Sequence, residues 1–146
     1  MANEKPYNFS LMDMTRALSL QHNDRLTEMF YLREAFMRAL RDSKPGTYPD
    51  SWPIDMSLKS SQQLCRDLIR CGVEELFEAT QHFRNAKAHR STDVSEFDRQ
   101  AFLEEVVDGL NYVLSPLVLM GFTADDLFAM YVQKDGIINE RLVSGY

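Results

Sequence analysis

Only two cysteines occur in the 146 residues, Cys65 and Cys71, so no disulfide framework holds the chain, and no further soft ligand stands at zinc spacing from either. Two small core residues are expected, with a redox pair as the alternative. Glycine and proline number 6 and 5, which excludes collagen-like and low-complexity sequence. Basic residues are in deficit, 16 against 22 acids, for a formal charge of −6. A domain of that sign lacks the electrostatic footprint of a general nucleic-acid binder, and anionic lipid repels it. Long apolar runs are missing too. The longest stretch without Asp, Glu, Lys or Arg is 109–124, interrupted by Pro116, and it falls short of the roughly 20 residues a membrane span requires. Lys5, Asp13 and Arg16 break up any secretory apolar segment near the N-terminus. The expected partners therefore include neither nucleic acid nor membrane, and the expected address is the cytoplasm. No G-x-G-x-x-G, P-loop or G-x-S-x-G motif is present, and His22, His82 and His89 form no ligand spacing.

What is present is helical. Hydrophobic residues make up 45% of the chain, enough for one core, and the length suits a single domain over 1–146. The apolar period is 3.6 rather than 2. Residues 10–41 lack Pro and Gly and read as one long helix or two, with Asn23 and Asp24 as a break and N-cap. Pro45, Gly46, Pro49 and Pro53 make 42–57 a loop in which Trp52 is expected as a packing anchor, with a stacking residue on a mobile loop as the alternative. Helices are expected over 58–88, over 97–120 with Pro116 kinking it and Gly121 closing it, and from a Thr123 cap to about 142. The fold class is an all-α bundle of four to five helices.

The informative feature is where acids interrupt apolar stripes. At helical spacing the third segment reads Leu64, Leu68, Cys71, Glu75, Glu78, and the fourth reads Ala101, Glu105, Asp108, Tyr112, Ser115, Leu119. Each stripe carries two carboxylates at i, i+3, on one side of its helix. If the two stripes face each other, four carboxylates converge. Two such charges roughly 5 Å apart repel by about 3 kcal/mol at an effective dielectric near 20, so the group calls for a cation. Oxygen-only donors favour a hard ion, Mg²⁺ or Mn²⁺, and magnesium leaves positions open for substrate phosphates. A di-iron bundle needs Glu-x-x-His pairs, and none occurs.

The order Glu75-x-x-Glu78, 26 residues, then Glu105-x-x-Asp108 resembles the signature of the all-α nucleoside triphosphate pyrophosphohydrolases, which include the MazG-like enzymes, the dimeric dUTPases and the phage dCTPase–dUTPases. The stretch 103–114 is similar to the second acidic helix of dimeric dUTPases, and 131–146 to the closing helix of the phage enzymes. The triplet Glu74, Glu75, Glu78 is closer to the E-E-x-x-E of MazG. The likeness covers about residues 60–146. It implies Mg²⁺-dependent hydrolysis of a (deoxy)nucleoside triphosphate to the monophosphate and pyrophosphate. It also implies a homo-oligomer, a dimer or a dimer of dimers, and a phage-encoded role in shaping the nucleotide pool of the host cytoplasm.

On that resemblance Glu75, Glu78, Glu105 and Asp108 hold metal, with Mn²⁺ able to substitute. Glu74 and Glu75 are the catalytic acids, Glu74 handling the attacking water. Lys134, Arg141 and Tyr146 bind phosphate, and Asn111 and Tyr112 are candidates for base contact. Four departures bear on the base. Uracil-specific relatives have Trp and Asn where this chain has Ala79 and Gln81, and tail amides where it has Ile138 and Leu142. A non-uracil substrate such as dGTP is therefore expected, with a dUTPase or dCTPase as the alternative. The alternative of another class is a non-enzymatic helical interaction module whose acids are a solvated face.

Overall fold

The structure is a computed structural model that describes residues 24–94 and 96–145. Every regular element among them is helical: α1 (Arg25–Ser43), α2 (Lys59–Thr80), α3 (Arg99–Leu119) and α4 (Ala124–Ser144). This is the expected all-α class. The expectations for residues 10–23 and for Tyr146 lie outside the described residues. The chain forms two compact units, one holding Met56–Pro116, the other residues 24–55 and 117–145. Helix α3 runs from the first into the second, and Pro116 is the last residue of the first.

In the second unit local chemistry sets each boundary. Asp24 caps α1, its carboxylate accepting from the Thr27 amide at 2.8 Å and from the Thr27 hydroxyl at 2.6 Å. Gly121, at φ +83°, ends α3. Its amide donates to the Val118 carbonyl and that of Phe122 to the Leu117 carbonyl, the paired pattern of a Schellman stop. Thr123 then opens α4 with a capping box, in which its hydroxyl oxygen accepts from the Asp126 amide and the Asp126 carboxylate accepts from the Thr123 amide. Phe30, Met37, Tyr48, Val118, Leu119 and Ala124 are the buried apolar residues here. The proline-rich loop is pinned by the Ile54 amide donating to the Leu119 carbonyl at 2.8 Å and by Arg41 donating to the Asp50 carbonyl at 2.8 Å.

In the first unit α2 and α3 come together at a pair of buried glycines, Gly72 and Gly109. Cys65, Ala79 and Leu114 are buried, and both cysteines are free thiols, Cys65 enclosed and Cys71 half-buried. One boundary differs from expectation. Helix α2 stops at Thr80 rather than near residue 88. Residues 81–94 fold back as turns, with Asn85 in the left-handed region at φ 58° and its side-chain amide donating to the Asp93 carbonyl. Phe83 then stacks on Phe97 with centroids 5.3 Å apart, and both pack on Phe102 of α3. Contact among these three rings, partly exposed as they are, outweighs the modest propensity of 81–88 to continue as helix.

Candidate functional site

Four of the predicted acids project from the facing turns of α2 and α3 beyond the glycine pair. One carboxylate oxygen from each of Glu75, Glu78 and Glu105 lies within 4.8 Å of the other two. Glu75 and Glu105 are half-buried and Glu78 is exposed. Asp108 is outside this group of three, yet close enough that its charge acts on Glu75. Partial desolvation, and then the like charges of Glu78, Asp108, Glu105 and Glu74, push the Glu75 carboxyl above the ordinary value of 4.5. The cluster is thus a place where negative charge is held under mutual repulsion. Its donors are oxygens only, which fits a hard divalent cation.

The rim holds one residue that spacing did not single out. His82 Nε2 stands 3.9 Å from Glu105 Oε1, and the imidazole is half-buried. It follows Glu78 by four, but it lies beyond the end of α2, so helix periodicity alone does not place it. Phe83 follows it directly, and its contacts with Phe97 and Phe102 hold the returning loop closed.

The other candidates fall as follows. Glu74 is exposed on the same turn as Glu75. Asn111 is half-buried, and its main-chain carbonyl accepts from the Ser115 hydroxyl at 3.0 Å. Tyr112 is half-buried beside Gly72, one turn beyond Asp108. Ala79 is buried at 3% exposure, so it takes part in packing. Lys134 and Arg141 belong to α4 in the second unit, two turns apart on one face and both exposed.

Trp52 is the packing anchor of its loop. Its indole N–H donates to Glu34 Oε1 at 3.0 Å, and the guanidinium carbons of Arg38 and Arg41 lie 4.6 and 5.6 Å from its ring centroid. A cavity of about 330 Å³ in this unit is lined by Phe30, Tyr31, Glu34, Trp52 and Phe122 among others. Its one charged lining residue, Glu34, is engaged by Arg38 and Trp52.

No single described helix is long and apolar enough to cross a membrane. No family model, curated protein or solved structure matches the chain.

Proposed function

We propose that the chain is a divalent-metal-dependent nucleoside triphosphate pyrophosphohydrolase of the all-α, MazG-like kind, acting on a (deoxy)nucleoside triphosphate. The observation that carries the reading is the convergence of Glu75, Glu78 and Glu105, with Asp108 adding charge beside them. A solvated acidic face on one helix does not account for carboxylates from two helices gathered within 4.8 Å, because repulsion drives such side chains apart unless a cation offsets it. The order of these acids along the chain supports the same reading through its resemblance to the superfamily signature.

Glu75, Glu78, Glu105 and Asp108 are the residues that would hold the ion. When bound, Mg²⁺ or Mn²⁺ supplies positive charge to the triphosphate oxygens and to the charge that develops as the linkage breaks. Glu74, next to Glu75 in the sequence, is proposed to take a proton from the attacking water. Water adds its oxygen to phosphorus, the bond between the α- and β-phosphoryl groups breaks, and the monophosphate and pyrophosphate leave. Lys134 and Arg141 are proposed to neutralise phosphate charge and Tyr146 to cap the phosphate site, assignments that rest on the sequence of the tail. Asn111 and Tyr112 are proposed to contact the base. The proposed assembly is a homo-oligomer, in keeping with exposed apolar side chains such as Phe77, Phe128, Tyr131 and Val143.

The proposed base is not uracil. A site discriminates strongly for one base only while its polar partners are present, and Ala79, Ile138 and Leu142 supply none. Eight ribo- and deoxynucleoside triphosphates, each assayed for pyrophosphate, test both parts. Pyrophosphate from at least one of them, with dGTP or another non-uracil substrate at least equal to dUTP in kcat/KM, is expected. A preference for dUTP of more than about a hundredfold would make the chain a plain dUTPase, and no product from any would sink the enzyme reading.

A further inference from the structure

The acidic cluster stands next to a backbone contact that nothing in the acid signature requires. A Cβ added to Gly72 would lie 3.1 Å from the Gly109 carbonyl oxygen and 3.1 Å from the Tyr112 Cβ. One added to Gly109 would lie 3.2 Å from the Gly72 carbonyl oxygen and 3.1 Å from Leu76 Cδ2. The two glycines therefore face each other's carbonyls, and a side chain on either would crowd the main chain of the opposite helix. The contrast is Gly136, inside α4, where a Cβ would meet nothing within 4 Å. A glycine in a helix interior is unfavourable by itself, so the buried pair is explained by the approach it permits.

The contact sits within one turn of the cluster on both helices. Gly72 precedes Glu75 by three residues. Gly109 follows Asp108 directly and Glu105 by four. At about 1.5 Å of rise per residue, Glu75, Glu105 and Asp108 stem from backbone within roughly 6 Å along the axis of the crossing, and Glu78 from about 9 Å. A change in helix separation there reaches their stems almost undiminished. Displacing a neighbour from such a 3.1–3.2 Å contact takes a few tenths of an ångström. That is the size of the difference between oxygen distances around Mg²⁺, about 2.0–2.1 Å, and around Ca²⁺, about 2.3–2.6 Å.

We propose that Gly72 and Gly109 are positioning residues that set the gap between the two acidic helices, and that this gap makes the cluster select a small divalent cation, Mg²⁺ or Mn²⁺, over Ca²⁺. The inference rests on the reading of Glu75, Glu78 and Glu105 as the cation site. It adds that selectivity is built into the main-chain contact as well as the ligands.

The test is calorimetric titration of the full chain with Mg²⁺, Mn²⁺ and Ca²⁺ separately, without nucleotide. The unaltered chain should bind Mg²⁺ and Mn²⁺ more tightly than Ca²⁺. Gly109→Ala should shift the Ca²⁺-to-Mg²⁺ affinity ratio about tenfold toward Ca²⁺. Gly72→Ala, which presses on a carbonyl and a Cβ rather than a flexible side-chain end, should shift it further. Gly136→Ala should leave it unchanged. Should Gly72→Ala not fold, Gly109→Ala decides, alone or with Leu76→Ala, which removes its side-chain clash and keeps the main-chain one. A variant of unaltered helical content whose ratio stays within about twofold overturns the proposal. So does equal weakening of all three ions, which is what damaged packing alone produces. Failure of the unaltered chain to bind any of the ions is a separate result, and it removes the cation site along with the inference.

Discussion

The indole N–H of Trp52 donates to Glu34 across 18 residues of sequence, and that bond fixes a proline-rich loop against α1. Desolvation tends to raise the Glu34 carboxyl, but hydrogen bonds from Arg38 and Trp52, with the Arg38 charge, outweigh it and hold the group below its ordinary 4.5. Replacing Trp52 by Phe keeps a ring between the guanidiniums and removes the donor. Losing a part-buried bond to a charged acceptor should cost about 1–2 kcal/mol in urea unfolding. An unchanged midpoint would show that the loop is held by other contacts.

The capping box at Thr123 predicts a pH effect of definite sign. The Thr123 amide and then its hydroxyl hold the Asp126 carboxyl below 3.8. A carboxyl lowered by folding stabilises the fold above its unfolded value and loses that contribution as pH falls through the folded one. Asp126→Asn should therefore lower the melting temperature at pH 6 and lose less than the unaltered chain as pH drops below about 3.8. Equal losses for both proteins would argue against the cap.

Glu75 predicts the opposite sign. Folding raises its carboxyl, so its contribution to stability declines as pH rises from 4.5 through the raised value. Without metal, Glu75→Gln should melt higher than the unaltered chain at pH 7. With Mg²⁺ the order should reverse, since the ion stabilises only the protein that binds it, by about 2.7 kcal/mol at a hundred times its dissociation constant. Thermal melts with EDTA and with Mg²⁺ check both halves, and an order that does not cross with metal contradicts the assignment.

The local signals were readable from sequence because their causes are local. Asp24, Gly121 and Thr123 bound helices through bonds to residues within four positions, and the i, i+3 acids share a face for reasons of helical period. The end of α2 was not readable. Residues 81–88 contain neither Gly nor Pro, and the stop is set by Phe83 meeting Phe97 and Phe102 from elsewhere in the chain. His82 was missed for the same reason, since its approach to Glu105 depends on that stop. Gly72 and Gly109 carry no signal in the sequence that pairs them, because only the crossing of the two helices shows that each makes room for the other.

For the tail, Lys134→Ala and Arg141→Ala should each weaken binding of a non-hydrolysable triphosphate about tenfold or more, and binding of the bare nucleoside little, because what is lost is a charge-assisted contact to phosphate. Calorimetry with the two ligands makes the comparison. Equal effects on both would assign these residues to something other than phosphate.

Whether the acidic cluster performs metal-dependent hydrolysis is tested most directly by pyrophosphate release with and without Mg²⁺, in the unaltered chain and in Glu78→Gln. Glu78 is exposed and on a helix surface, so the substitution leaves the fold intact. The prediction is pyrophosphate, not orthophosphate, released only with Mg²⁺ or Mn²⁺ by the unaltered chain, and turnover abolished in the variant. Metal-independent release, or full activity in Glu78→Gln with unchanged helical content, would contradict it.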